Sequence, residues 1–416
     1  MIGRLDDEHR TVARNLFYST LSSGSAVLLL GVLVIAGRVL GDQGYGQFSF
    51  ALALATIGEA LMDLGLHQVA IRAVARDRAR ASAVFRNSLG IKVAPAVGMV
   101  IALALLARWL RPEADVRLVC ALLAISAVMR SYLLTIRGVL QGLEAFGWDA
   151  AVVLVDRVLL LVVSAIVLLR GGTLVALGWA FVGSRAIAVI GAFALTARKT
   201  GHPVPAFDDE LWRELPRLAL PLGAFLIVLN LYSYIDTVML GVMSTDADTG
   251  LYNAAYRVYE GLSYAPAVIS SVLLPRLSRA YVADRAQYAH AARRALAWTV
   301  GLAVILAVAI WAAAPLALSI LFGSQFANAV RALRLLALGL VAVFPIWILH
   351  SVAISSSAER VLLRTTAIGV IVNVGVNLVL IPAAGRDGAA IATVVGEVVS
   401  LAVLAHGLRG ALARPV

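Results

Sequence analysis

The sequence predicts an all-α polytopic membrane protein of about 12 transmembrane helices in two pseudo-symmetric six-helix lobes. Three observations carry that prediction. The chain of 416 residues is 61% hydrophobic and only 14% charged, too apolar for a soluble protein that hides its apolar surface in one core. Apolar runs of the roughly 20 residues that cross a bilayer's hydrocarbon recur with short polar breaks. Landmarks of the first half reappear in the second half in the same order.

In the first half the spans are expected at 12–36, 46–72, 87–108, 117–138, 150–169 and 173–196. In the second they are expected at 216–241, 251–275, 291–314, 330–351, 361–382 and 388–408. Leu, Val, Ala and Ile follow one another without strict alternation, which excludes a transmembrane barrel, whose strands alternate apolar and polar residues. Met1 to Arg10 is a polar leader of mixed charge, and no A-x-A-like cleavage site follows the first run, so that run is expected to be retained as a span. Trp109, Trp148 and Trp311 near span ends read as interfacial anchors.

The longest internal polar connection carries Lys199, Asp208, Asp209, Glu210, Arg213 and Glu214. It divides the chain into an N-lobe (1–197), a cytoplasmic linker (198–215) and a C-lobe (216–416). Leu40-Gly41 and a helix starting near Tyr45 are matched by Leu240-Gly241 and a helix starting near Tyr252. Gln141-Gly142-Leu143-Glu144 is matched more weakly by Ser356-Ser357-Ala358-Glu359. Six spans per half start both repeats on the same side of the membrane, and transporters place substrate sites between such repeats.

The formal charge of +11 is explained by the membrane and not by nucleic acid. Laid on alternate sides of the spans, basic residues favour one side almost three to one. Arg4, Arg10, Arg14, the Arg72–Arg86 cluster and the Arg276–Arg294 cluster share it, with Arg414. The positive-inside rule then puts both termini in the cytoplasm. Cys120 is the single cysteine, so no disulfide framework is available within the chain. The histidines, His9 and His202 among them, have no metal-ligand spacing, and no P-loop string occurs. No large polar loop is present to hold a catalytic site. The chain therefore reads as a transporter and not an enzyme, with no metal and no cofactor beyond a coupling ion, H⁺ or Na⁺.

A charge at mid-bilayer costs about 2.5–3.5 kcal/mol on insertion scales, so deep charges face polar cavities or each other. The deep cations by position are Arg130, Arg157, Arg185 and Arg257, and they are expected to line a path for an anionic substrate. Arginine suits this because its planar donors grip phosphate bidentately and keep their charge. The competing reading is mutual neutralisation. Arg257 and Glu260 are three apart and can pair on one helix. Adjacent Asp156 and Arg157 point about 100° apart, so each must look to another span. Glu59 and Asp63, four apart on one face, are candidates for raising each other's proton affinity and binding a coupling ion. Asp236, near the outer end of span seven, and Glu397, alone in an apolar span twelve, are candidate gating or coupling residues. Arg38 and Arg72 close spans one and two, where snorkelling to headgroups competes with function. Asn230, Asn253, Asn373 and Asn377 read as hydrogen-bonding glue between helices.

Ala36-Gly37-Arg38-Val39-Leu40-Gly41, Gly44-Tyr45-Gly46-Gln47-Phe48 and Asp63-Leu64-Gly65-Leu66 with Arg72 resemble the opening of Wzx-type polysaccharide flippases of the MOP (multidrug/oligosaccharidyl-lipid/polysaccharide) exporter superfamily. Leu140-Gln141-Gly142-Leu143-Glu144, Asp236, Leu240-Gly241, Gly250-Leu251-Tyr252-Asn253-Ala254-Ala255-Tyr256-Arg257 and Pro275-Arg276-Leu277-Ser278 continue the resemblance. It covers nearly the whole chain in order. It implies a MATE/MOP-like fold around a central cavity, in the bacterial cytoplasmic membrane. It also implies alternating access for an oligosaccharide on undecaprenyl pyrophosphate, with membrane lipids and the polysaccharide polymerase and chain-length machinery as partners. The short motifs identify the family better than the cargo. A multidrug/cation antiporter and a lipid II flippase are the neighbouring readings, and a membrane-embedded glycan polymerase or transferase is the reading of another class.

Overall fold

The computed structural model describes residues 14–15, 17–200 and 204–412. Arg4, His9, Arg10, His202 and Arg414 lie outside the described residues, as do the side chains of Lys199 and Glu359. No strand occurs among the described residues. The helices are α1 (Ala26–Asp63), α2 (Leu66–Arg76), α3 (Ala81–Ile91), α4 (Val93–Leu110), α5 (Ala114–Gly142), α6 (Phe146–Leu169) and α7 (Leu174–Thr200). They continue as α8 (Asp209–Met243), α9 (Asp246–Ser263), α10 (Ala265–Ala283), α11 (Arg285–Leu321), α12 (Val330–Ser355), α13 (Glu359–Gly407) and α14 (Arg409–Leu412). Short 3₁₀ turns lie at Arg78–Arg80 and Ser324–Ala329.

Among the described residues, 9 helical stretches are long and apolar enough to cross a membrane. The difference from twelve is a matter of breaks. α13 has 49 residues, which at 1.5 Å per residue would reach about 73 Å, over twice the ~30 Å hydrocarbon layer. It breaks at Gly385 (φ 52°, ψ −129°). A Cβ on Gly388 would collide with the carbonyl of Leu380, although residues eight apart in a straight helix are about 12 Å apart. The chain therefore doubles back there, and α13 holds two spans. The 60-residue stretch Phe17–Arg76 is broken likewise at Gly41 (φ 72°) and at Leu64 and Gly65 (φ 47° and 80°). The span expected at 251–275 is split between α9 and α10 at Tyr264.

Contacts divide the chain into two compact units, Met1–Leu40 with Ala51–Asn230 and Gly41–Phe50 with Leu231–Val416. This division does not follow the linker at 198–215. In the first unit, Arg86 Nε donates to Val204 O at 2.9 Å and Asp208 N donates to Asn87 Oδ1 at 2.8 Å. Leu211, Leu215 and Ala219 of α8 bury themselves against Leu66 and Val69 of α2. The linker and the start of α8 are thus anchored to the first unit by packing.

The duplication is visible in the caps. At the end of α5, Leu143 N donates to Val139 O, Glu144 N to Gln141 O and Ala145 N to Leu140 O. At the end of α12, Ser356 N donates to Val352 O, Ser357 N to Ile354 O and Ala358 N to Ala353 O. Glu144 (φ 58°) and Ser357 (φ 55°) occupy the left-handed position in each, the geometry that satisfies a helix's last carbonyls. The equivalent of Glu144 is therefore Ser357, two residues earlier than the string match with Glu359. Asp77 and Asp284 are a second matched pair, each accepting from the backbone N–H two residues on. The Leu240-Gly241 match needs correction, because Gly241 is inside α8. A Cβ there would strike the Phe50 ring, so close packing requires that glycine. The break comes later, where Thr245 caps α9 by accepting from Asp248 N.

Candidate functional site

In the first unit the buried charges form a chain of ion pairs. Glu59 of α1 meets Arg130 of α5, Nε to Oε2, at 2.6 Å. One turn on, Asp63 meets Lys92 at 2.6 Å. Lys92 is the break between α3 and α4 and is wholly buried. Its ammonium also donates to Ser131 O and Ser131 Oγ, both at 2.9 Å, and to Thr135 Oγ1 at 2.7 Å. These partners satisfy the cation, which is how a charge survives in an apolar bundle. Asp156 of α6 pairs with Arg185 of α7 at 2.7 Å. Arg137 pairs with Asp149 at 2.7 Å, and Gln141 Nε2 donates to the same carboxylate at 3.0 Å.

Arg157 breaks the pattern. Its Nη1 is buried and has no hydrogen-bond partner among the described residues. It borders a cavity of about 50 Å³ that Arg130, Arg137 and Asp156 also line. A second cavity, of about 140 Å³, shares Arg130 and Leu134 with the first and is lined further by Glu59, Asp63, His67 and Asn230. Two polar cavities thus adjoin the same arginine.

The second unit is built differently. Asp236 of α8 is buried and accepts from Tyr252 Oη at 2.8 Å, Thr393 Oγ1 at 2.8 Å and Asn377 Nδ2 at 2.6 Å. Asn377 Nδ2 also donates to Asn373 Oδ1 at 3.1 Å, while its own Oδ1 is buried without a partner among the described residues. Glu397 lies beside Tyr232 and within electrostatic reach of Asp236. Arg257 pairs with Glu260 at 2.6 Å, and its guanidinium carbon is 5.9 Å from the ring centres of both Tyr234 and Tyr256, within cation–π range.

Of the four deep cations read from sequence, three have acid partners: Arg130 with Glu59, Arg185 with Asp156 and Arg257 with Glu260. Arg157 alone of the four has no acid within ion-pair distance among the described residues. Glu59 and Asp63 line one cavity, but each faces its own cation, so they do not form the like-charged pair that their spacing suggested. Asp236 is a buried, hydrogen-bonded group. Glu397 has polar neighbours and is not alone. Arg38 and Arg72 are exposed at helix surfaces, outside both clusters. Lys92 was missed as a deep cation. The available signal was a lysine inside an otherwise apolar stretch, three residues before Pro95.

Residues 12–281 match the family described as polysaccharide biosynthesis protein. The chain belongs to that family. Residues 221–379 of this polysaccharide biosynthesis family member also match the MatE family. Among curated proteins, none matches its sequence. In fold it is similar to an inward-facing multidrug resistance MATE family transporter of the MOP superfamily, at TM-score 0.73 and 14% identity over 93% of this chain and 94% of that one. It is equally similar to the lipid II flippase MurJ in an inward closed conformation, at TM-score 0.74 and 13% identity over 95% and 87%. A MOP superfamily transporter from Pyrococcus furiosus, described as having a binding pocket of reverse polarity, matches at TM-score 0.61 and 16% identity over 96% and 95%. The chain is a multi-pass membrane protein with the fold of these transporters.

Proposed function

We propose that this polysaccharide biosynthesis family member is a flippase for an oligosaccharide carried on undecaprenyl pyrophosphate, moved across the bacterial cytoplasmic membrane by alternating access of the lobes 1–197 and 216–416. Both termini are cytoplasmic in this reading, and the polymerase and chain-length machinery receive the product. The observation that carries it is Arg157, a buried guanidinium with an unmatched donor, set beside Arg130 and Arg137 on a polar cavity. A diphosphate brings the oxygen acceptors that this donor lacks, and guanidinium–phosphate bonds are among the strongest available in a protein. Arg257, in its tyrosine surround, is the corresponding cation of the second unit. Arg185, held by Asp156, acts by positioning.

Coupling to a cation gradient is assigned in this proposal to Asp236. The carboxylate and the free Oδ1 of Asn377 supply hard oxygen ligands, and Thr393 and Tyr252 hold the carboxylate in place. Glu59, Asp63, Glu260 and Glu397 then act as partners of the buried cations or as relays between them. Neither H⁺ nor Na⁺ is favoured by this geometry.

The test is a reconstituted assay of protected glycan lipid in vesicles. Arg157→Gln together with Arg257→Gln should cut its movement by at least about tenfold, one lost charge-assisted hydrogen bond being worth about 1.5–3 kcal/mol. Movement unchanged by the double substitution removes the arginines from the mechanism. A second reading, a multidrug/cation antiporter, is favoured by the acid- and tyrosine-rich site around Asp236, Glu397, Tyr232 and Tyr256. Efflux of an organic cation that depends on Asp236 but not on Arg157 would select it.

A further inference from the structure

The turn between α10 and α11 carries a surface feature that the transport reading does not use. Arg276, Arg279 and Gln287 wall an open groove of about 440 Å³ whose floor is Ala280, Ala283 and Ala291. The alanines on both helices leave the space, and the arginines set its charge. From Arg276 to Arg294 the sequence holds five arginines and one acid, Asp284. That acid is engaged as the cap of α11, its Oδ1 accepting from Ala286 N at 2.8 Å and Gln287 N at 3.0 Å. Neither groove arginine has a carboxylate within ion-pair distance among the described residues, and Arg279 donates only a long bond to Pro275 O at 3.4 Å.

The turn of the first unit that shares this aspartate cap has acids within reach of the arginines that follow it. There Asp77 caps in the same way, but Arg78 pairs with Glu144 at 2.8 Å and Arg80 with Glu214 at 3.2 Å. Arg78 and Arg80 are thus paired within the protein. Arg276 and Arg279 are exposed.

The flanks of the groove suit a lipid headgroup. It adjoins a turn between two helices, and Trp298, 71% exposed, lies one turn past Arg294 at the start of the apolar run of α11, in the position of an interfacial aromatic. Val272 and Val282 on α10 are exposed beside it, an apolar surface for acyl chains. Basic pockets between membrane helices hold anionic headgroups by this combination of charge and apolar flank.

We infer that the α10–α11 groove is a binding site for the phosphate headgroup of an anionic phospholipid of the surrounding bilayer. The two arginines grip the phosphate and Gln287 donates to the glycerol or ester oxygens. The alanine floor admits the headgroup, and the exposed valines carry its chains.

Native mass spectrometry of the full-length protein in neutral detergent, titrated with phosphatidylglycerol or phosphatidylcholine, tests this. Phosphatidylglycerol should be retained and phosphatidylcholine lost. At about 1 kcal/mol per arginine near a membrane surface, Arg276→Gln with Arg279→Gln should weaken phosphatidylglycerol binding by about thirtyfold. Ala283→Leu, which fills the groove without touching its charge, should weaken it as well, so a misfolded arginine variant does not end the test. Arg170→Gln, an exposed arginine in another turn, should leave binding unchanged. Equal retention of both lipids overturns the proposal, as does full binding by the Ala283→Leu protein. Displacement of the lipid by inorganic phosphate at equal concentration would assign the groove to a free anion instead.

Discussion

The buried charges of the two units make an instructive contrast, because the backbone around them is matched and the chemistry is not. Both units end a long helix with the same three-bond cap and start another with the same aspartate cap. In the first unit, acids and cations alternate in pairs and one guanidinium, Arg157, is left over. In the second, carboxylates outnumber the deep cation: Asp236, Glu260 and Glu397 against Arg257. Helix ends are fixed by backbone hydrogen bonds, which any sequence with the right turn residues can make. Deep side chains are fixed only by their partners. A duplicated fold can therefore keep its frame while its two interiors specialise for opposite charges.

Four sets of substitutions break or sharpen that contrast. Lys92→Met should have the largest effect, about 3–5 kcal/mol of destabilisation, because it leaves Asp63 buried and unpaired. Chemical denaturation in detergent measures it, and Lys92→Met with Asp63→Asn should recover much of the loss. A single-variant loss under about 1 kcal/mol would mean that the pair does not hold the unit together. Next, Arg185→Gln should cost about 3 kcal/mol by stranding Asp156, whereas Arg157→Gln, with no pair to break, should cost less than about 1 kcal/mol and act on transport instead. Equal stability losses would erase the distinction between structural and free arginines.

Asp236→Asn keeps the shape of the second site and removes its charge. It should reduce gradient-driven transport by about tenfold, with little change in melting, the equivalent of one charge-assisted contact. Full dependence on the cation gradient in this variant would move coupling elsewhere. The helix breaks test the shared frame instead of the charges. Gly41 has φ 72° and ψ −177° in open space, so Gly41→Ala should cost about 1–2 kcal/mol from backbone strain alone. Gly385→Ala should cost more, because its Cβ would also meet the Asp248 carboxylate. Thermal shifts of the two variants compare them directly.

The spans were legible because twenty apolar residues in sequence have few other uses. Arg257 with Glu260 was legible too, since three residues on a helix bring side chains together. The same logic ruled out Asp156 with Arg157 and left each to a neighbouring helix, where Asp156 does find Arg185. The partners of Lys92 were not legible: they are 29, 39 and 43 residues away. Nor was the environment of Asp236, whose donors Asn377 and Thr393 are 141 and 157 residues on. Spacing codes for contacts within a helix, and these contacts are made between helices.

The 3₁₀ turn Ser324–Ala329 has no counterpart in the first half, where α4 runs almost directly into α5. Its Phe326, with Phe322, encloses Tyr45, at ring-centre distances of 6.0 and 5.7 Å. On the same segment, Gln47 donates to Asp246 at 2.8 Å. This segment of the later half therefore helps to hold Tyr45, which the earlier half encodes. The halves are no longer interchangeable parts. Exchanging them by gene fusion or expressing the later one alone would leave an aromatic socket without its tyrosine, and evolution of either half is tied to the other at that point.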